Sequence, residues 1–190
     1  MAEKWSVGRD ESGPLAPFTR GRRTGSHAEC SYSRQPIRQD YGKGGVRGYD
    51  SGKRVKGRKR HLLVDTLGLV MKVMVTEADM HDTHAAKRLL VMILGLFPRL
   101  LKIWADQGYQ GSLIDWVKTY CRLDLEIVHR PPDTKGFVLL PRRWVVERTW
   151  AWLGNCRRLS KDYEFEPQSS EAMIYIAMTR LMIRRLAVKT

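Results

Sequence analysis

The sequence predicts an α/β protein, a mixed sheet flanked by helices. Three observations carry this. Residues 60–79 read as two apolar strands around a tight turn at Leu67–Gly68. Residues 82–188 then alternate helix-period and strand-like segments. A hairpin that feeds strand–helix–strand alternation requires antiparallel and parallel pairings in one sheet, with helices covering it.

The elements follow in order. "RHLLVDT" and "LVMKVMVTEAD" are the hairpin strands. "DTHAAKRLLVMILGLF" is a helix with Asp82 or Thr83 as N-cap and a stop near Pro98. "LLKIWAD" is a short apolar strand, "SLIDWVKTYCRL" an amphipathic helix, and "DLEIVH" a strand closed by Pro131–Pro132. "RRWVVERTWAWLGNCRRL" is a helix entered after Pro141. "SSEAMIYIAMTRLMIRRLAV" is a long helix with an apolar stripe that covers the sheet, with any exposed part suited to self-association as a homodimer. Residues 1–43 differ. Trp5, Val7, Leu15, Phe18 and Ile37 follow neither a period of 2 nor one of 3.6, so this stretch is expected to be irregular or disordered and 44–190 to form the folded body.

Composition narrows the function classes. The chain has 190 residues, with 34 Lys and Arg against 20 Asp and Glu, a net charge of +14 and a pI near 10.0. That excess favours a polyanionic partner, nucleic acid or an anionic surface. No apolar run is long enough for a transmembrane helix and no signal-peptide pattern opens the chain. Cys30, Cys121 and Cys156 are odd in number and widely spaced, which argues against a zinc site or disulfide framework and fits a reducing cytoplasm.

Two acids stand out. Asp106 ends the strand "LLKIWAD" where the chain turns through Gly108, and functional groups in open α/β sheets cluster beyond the carboxyl ends of strands. An Asp there also caps turns, and position alone leaves both readings open. Glu147 lies in a segment crowded with Val145, Val146, Trp150, Trp152 and Leu153. Its spacing equally fits an ion pair with Arg143 one helical turn earlier. His81 and His84 flank Asp82 at a helix start, where capping is the simpler account than a metal. The stretch "KRVKGRKRH" holds Lys53, Arg54, Lys56, Arg58, Lys59 and Arg60, which read as a solvated loop or as phosphate contacts.

Taken together, "ADQGYQG", "RRWVVERTWAWLGNCRRLSKDYE", "GGVRGYDSGKRVKGRKRHLLVDTLGL" and "HDTHAAKRLL" resemble bacterial insertion-sequence transposases of the DDE type, in the branch of insertion sequence five. The resemblance covers residues 44–187. It implies an RNase-H-like core in which three acids hold two Mg²⁺ ions, and a reaction that cuts and joins double-stranded DNA at the element's inverted repeats. By motif, Asp106 is the second acid and Glu147 the third. Both would be metal ligands, because Mg²⁺ takes hard oxygen donors. Arg143 matches the arginine of the family's Y-R-E-K signature, Leu140 stands in the tyrosine's place, and Arg157 or Arg158 matches its basic residue. The setting implied is a bacterial cytoplasm, at the nucleoid.

The first acid is missing. The family pattern resembles I-V-D-S-Q-S-V-K-T-T-E-K-G-G, whereas residues 30–44 read "CSYSRQPIRQDYGKG". Permitted codons for those residues, read one base later, spell A-V-I-V-D-S-Q-S-V-K-T-T-E-K-G, which is compatible with a reading-frame shift. Asp40, Asp50 and Asp65 are the nearby substitutes. The expectation is therefore an incomplete domain without its first, central strand and without catalysis. The alternative from another class is a non-catalytic basic DNA-binding remnant, and a third is an RNase-H-like nuclease unrelated to transposition.

Overall fold

The computed structural model describes residues 28–36, 45–129 and 140–187. Its centre is the hairpin of β3 (Val55–Asp65) and β4 (Val70–Glu77). Asp65 builds the turn: its Oδ1 accepts from the Leu67 and Leu69 N–H groups at 2.9 and 2.8 Å. Gly68 is required there. Its φ is +81°, and a Cβ would lie 2.8 Å from Thr149 Oγ1 and 3.0 Å from the Trp152 ring.

The strand order is β4-β3-β1-β5-β6, where β1 is Ala28–Pro36, β5 Leu100–Ala105 and β6 Asp124–Ile127; the short β2 (Gly48–Asp50) extends the sheet beside the start of β3. β3 is antiparallel to β1, β2 and β4, while β1, β5 and β6 are mutually parallel neighbours. Period-2 alternation loads both faces of the sheet. Leu63 and Ile103 face α1 (Asp82–Ile93) and α2 (Ser112–Trp116, prolonged by a π-helical turn to Cys121), packing with Leu89, Leu90 and Leu113. Leu62, Val64 and Val73 face α3 (Pro141–Gly154) and α4 (Pro167–Ala187), packing with Val146, Leu153, Ile174 and Met178. The result is three layers, helices on both sides of a mixed sheet.

Three expectations change. First, residues 28–36 form β1, the central strand, although they lie in the stretch expected to be irregular and the fold was expected to lack this strand. Backbone bonding explains it: β3 and β5 present facing rows of unpaired N–H and C=O groups, and a segment between them satisfies both. Side-chain periodicity carries no trace of that. Second, β3 begins at Val55, so most of the basic stretch is strand rather than loop. Third, the N-cap of α1 is His81, whose Nδ1 accepts from Thr83 N–H, rather than Asp82 or Thr83.

The basic stretch divides by partner. Arg58, Lys59 and Arg60 are buried. Arg58 donates to Asp162 Oδ2 at 3.1 Å and to the carbonyls of Val46, Glu164 and Phe165. Arg60 donates to the carbonyls of Leu159 and Lys161, and burial lowers its pKa, partly countered by Asp162. Lys59 points to the other face, donating to the Met80 carbonyl and pairing with Asp82 at 3.4 Å and Asp50 at 3.7 Å. Their expected phosphate contacts are therefore replaced by internal ones. These cations fasten residues 159–165, β2 and the start of α1 to the sheet.

The outer edge of β4 is closed by α4. Val73 N–H donates to Tyr175 Oη at 3.2 Å and Val75 N–H to Glu171 Oε1 at 2.9 Å, which denies that edge to other strands.

Two outcomes follow. Arg58→Ala strands the buried Asp162 carboxylate and should cost about 3–5 kcal/mol in urea denaturation, whereas exposed Lys53→Ala should stay within about 0.5 kcal/mol. Glu171 has its pKa raised, chiefly by burial. Its carboxyl thus favours the folded state while protonated, and that contribution is lost as pH rises through the raised folded value. Glu171→Gln keeps an acceptor for Val75 and should gain stability relative to wild type between pH 4 and pH 7, measured by denaturation at both.

Candidate active site

The site is built at the carboxyl end of β5. Ile103 and Ala105 point into the α1 core, so Lys102 and Trp104 take the opposite face. Asp106 keeps an extended backbone (φ −78°, ψ 173°), which continues the alternation of β5 one residue past Ala105. Its Oδ1 accepts from Gly108 N–H at 3.0 Å, and it caps a single 3-10 turn over Gln107–Tyr109.

Trp104 sets where α3 enters. The Arg142 guanidinium lies 4.2 Å from its ring centroid and Lys102 Nζ lies 5.9 Å away. Glu126 on β6 completes the group. A hydrogen bond from Lys102 holds its carboxyl below the usual range, helped by Trp104 and by the charge of Arg142, and Glu126 in turn raises Lys102. From that anchor α3 runs across β1 to the β3–β4 turn, where Thr149 Oγ1 donates to the Gly68 carbonyl at 2.7 Å. Val146, Thr149 and Leu153 are the buried stripe of α3. Glu147 flanks the stripe and is half-buried.

Glu147 Oε1 takes the Arg143 Nε at 2.8 Å. The structure thus joins Arg143 to Glu147. Each acid is engaged locally, Asp106 by Gly108 and Glu147 by Arg143. Among the described residues no three His, Cys, Asp or Glu side chains gather as a metal site.

The central strand is the neighbour that matters. β1 pairs in parallel with β5, with Ser31 abreast of Trp104. Two residues further along β1, level with Asp106 by count, stands Ser33, which is not an acid. The β1 acid, Glu29, is abreast of Lys102, toward the other end of the strand. Asp65 is spent on the hairpin turn, and Asp50 accepts from Lys53 N–H while lying 3.7 Å from Lys59 Nζ. Asp40 falls outside the described residues.

A model of the transposase DDE domain matches residues 19–182. The chain belongs to the DDE transposase family. No curated protein matches it. Membership in the DDE transposases implies a DNA partner and, as is usual in the family, use of divalent metal. No described helix is long and apolar enough to cross a membrane. Tested against such a metal, the described residues fall short: a DDE centre takes three acids, and no three His, Cys, Asp or Glu side chains gather among them.

Sequence reasoning placed the remaining cations unevenly. Lys53, Arg54, Lys56 and Arg157 are exposed, and exposed Arg158 pairs with Glu164 at 2.7 Å. His129, a single histidine with no spaced partner in the sequence, has its Nδ1 3.5 Å from the carboxamide nitrogens of both Gln107 and Gln110. Its position just past β6, parallel to β5, was the signal that could have found it.

The two arginine contacts at the helix entrance should differ in weight. Trp104 is 5% exposed, so Trp104→Ala should cost about 3–5 kcal/mol. Arg143→Ala, which breaks a half-exposed pair on one helix, should cost about 0.5 kcal/mol or less. Parallel urea titrations check both.

Proposed function

We propose that this chain is the catalytic portion of an insertion-sequence transposase, in the branch of insertion sequence five, whose first acid has been lost through a reading-frame shift. Its fold would be RNase-H-like. The observation that carries the reading is the neighbourhood of Asp106: the central strand pairs in parallel with β5 up to Ser31 and Trp104, and two residues on, level with Asp106 by count, stands Ser33. An intact relative would hold two Mg²⁺ ions with three carboxylates, of which Asp106 and Glu147 are two, and would cut and join DNA by phosphoryl transfer. Arg143 would orient Glu147. This chain has the strand, the second and third acids, and no first acid among its described residues. It therefore binds DNA without cutting it. Its exposed cations Lys53, Arg54, Lys56 and Arg157 are the proposed phosphate contacts, whereas Arg158 is taken up by Glu164.

A nicking assay on supercoiled DNA with Mg²⁺ tests the catalytic half of the proposal. The expected result is no turnover above a metal-only control. Turnover that Asp106→Ala abolishes would refute it. The frame shift is tested separately by the nucleotide sequence: codons 30–44 read one base later must give a strand-like peptide containing Asp.

A further inference from the structure

The arginines at the far end of α3 form a second charged surface that the candidate site does not use. A groove of about 200 Å³ separates the end of α3 from α4, lined by Trp152, Asn155, Cys156, Arg180, Leu181 and Arg184. Arg180 and Arg184 are exposed and one helical turn apart. Arg185 lies 4.3 Å and Arg148 4.9 Å from the Trp152 ring centroid. None of the four forms an ion pair with an acid among the described residues; the ion pairs there involve other cations. Arg184 and Arg185 also suit the negative end of α4, but Arg180 lies above the last turn and gains nothing from it. Like charges one turn apart repel. An uncompensated cluster of this kind is relieved by an external polyanion.

We infer that this groove is a docking surface for the phosphate backbone of duplex DNA. The inference rests on the DNA-binding reading above and extends it. Guanidiniums grip phosphate through a planar fork, and stacking on Trp152 holds Arg185 with little rotamer freedom left to lose, while Arg148, stacked on the same ring, also donates to the Leu67 carbonyl. Because those two arginines occupy the ring, Trp152 is not offered to an unstacked base, which favours duplex over single strand. α3 has 14 residues. At about 1.5 Å per residue it separates the groove from Trp104 by about 20 Å, or about six base pairs of duplex. The surface would hold DNA flanking the Asp106 end.

The test compares the full chain with Arg180→Ala/Arg184→Ala and Arg180→Lys/Arg184→Lys. Both positions are exposed, and alanine and lysine favour helix, so the fold is expected to persist, as far-UV circular dichroism would report. Kd is measured on two duplexes of unrelated sequence, and on one matching single strand, from 50 to 200 mM salt. Loss of two phosphate contacts should flatten the log Kd against log salt slope by about 1.8 on both duplexes. Wild type would then lose about tenfold more affinity than the alanine variant over that range. The lysine variant should keep the wild-type slope. An alanine variant with the wild-type slope overturns the inference and leaves the DNA-binding reading standing. A change seen on the single strand alone overturns the duplex assignment. Wild type without salt-dependent binding overturns both.

Discussion

The Arg58 guanidinium is the contact on which the arrangement of the helices depends. It sits on β3, 1% exposed, and its partners Asp162 and Phe165 are 104 and 107 residues away in sequence. Those partners belong to the strap that joins α3 to α4. Once the strap is pinned, α4 must run along β4, where Glu171 and Tyr175 meet the free N–H groups of the edge. Gly45 belongs to the same junction, since a Cβ there would run into the Phe165 carbonyl. A buried pair of this kind adds little net attraction once desolvation is counted. It acts by penalty: any packing that separates the strap from β3 leaves a buried charge without its partner. The constraint therefore selects one arrangement of α3 and α4 rather than simply strengthening it.

How much of this was legible follows from where each signal resides. The hairpin was readable because alternation and turn chemistry are local, and Asp65 closes the turn through residues two and four positions away. The start of α1 was readable for the same reason, whereas its end, expected near Pro98, comes at Ile93. Asp106 was found because a strand end followed by glycine is a local pattern. The direction of the basic stretch was not local. Arg58 and Arg60 look like solvent cations in sequence, and only the distant carbonyls of 159–165 make burial tolerable. Likewise the Arg142 stack on Trp104, which sets the entry of α3, joins residues 38 positions apart and leaves no periodic mark.

β1 is the instructive failure. Its residues "AECSYSRQP" lack the apolar alternation of a strand, and a central strand is normally the most apolar of all. The slot between β3 and β5 imposes strand geometry through backbone bonds alone, and these are indifferent to side-chain identity. Occupying the slot restores the sheet but not the chemistry. Backbone pairing of β1 with β5 runs as far as Ser31 and Trp104, and the residue two further along β1 is Ser33, not an acid. Architecture tolerates substitution at this strand, whereas a metal centre requires a particular side chain.

The same distinction governs the charge. A net charge of +14 invites the inference that the cations are a DNA footprint, but three of the six in the basic stretch are structural. Counterion release scales with the cations that actually face phosphate, not with the formal total. The footprint must therefore be drawn from cations with outward-facing side chains and no acid to neutralise them. Lys53, Arg54 and Lys56 meet the first condition at one place on the surface, and Arg180 and Arg184 meet both at another. A duplex touching Arg180 and Arg184 would lie along α3, the helix that also carries Glu147. The proposed grip on DNA is thus set on α4 and the proposed acid on α3, the helix packed against it.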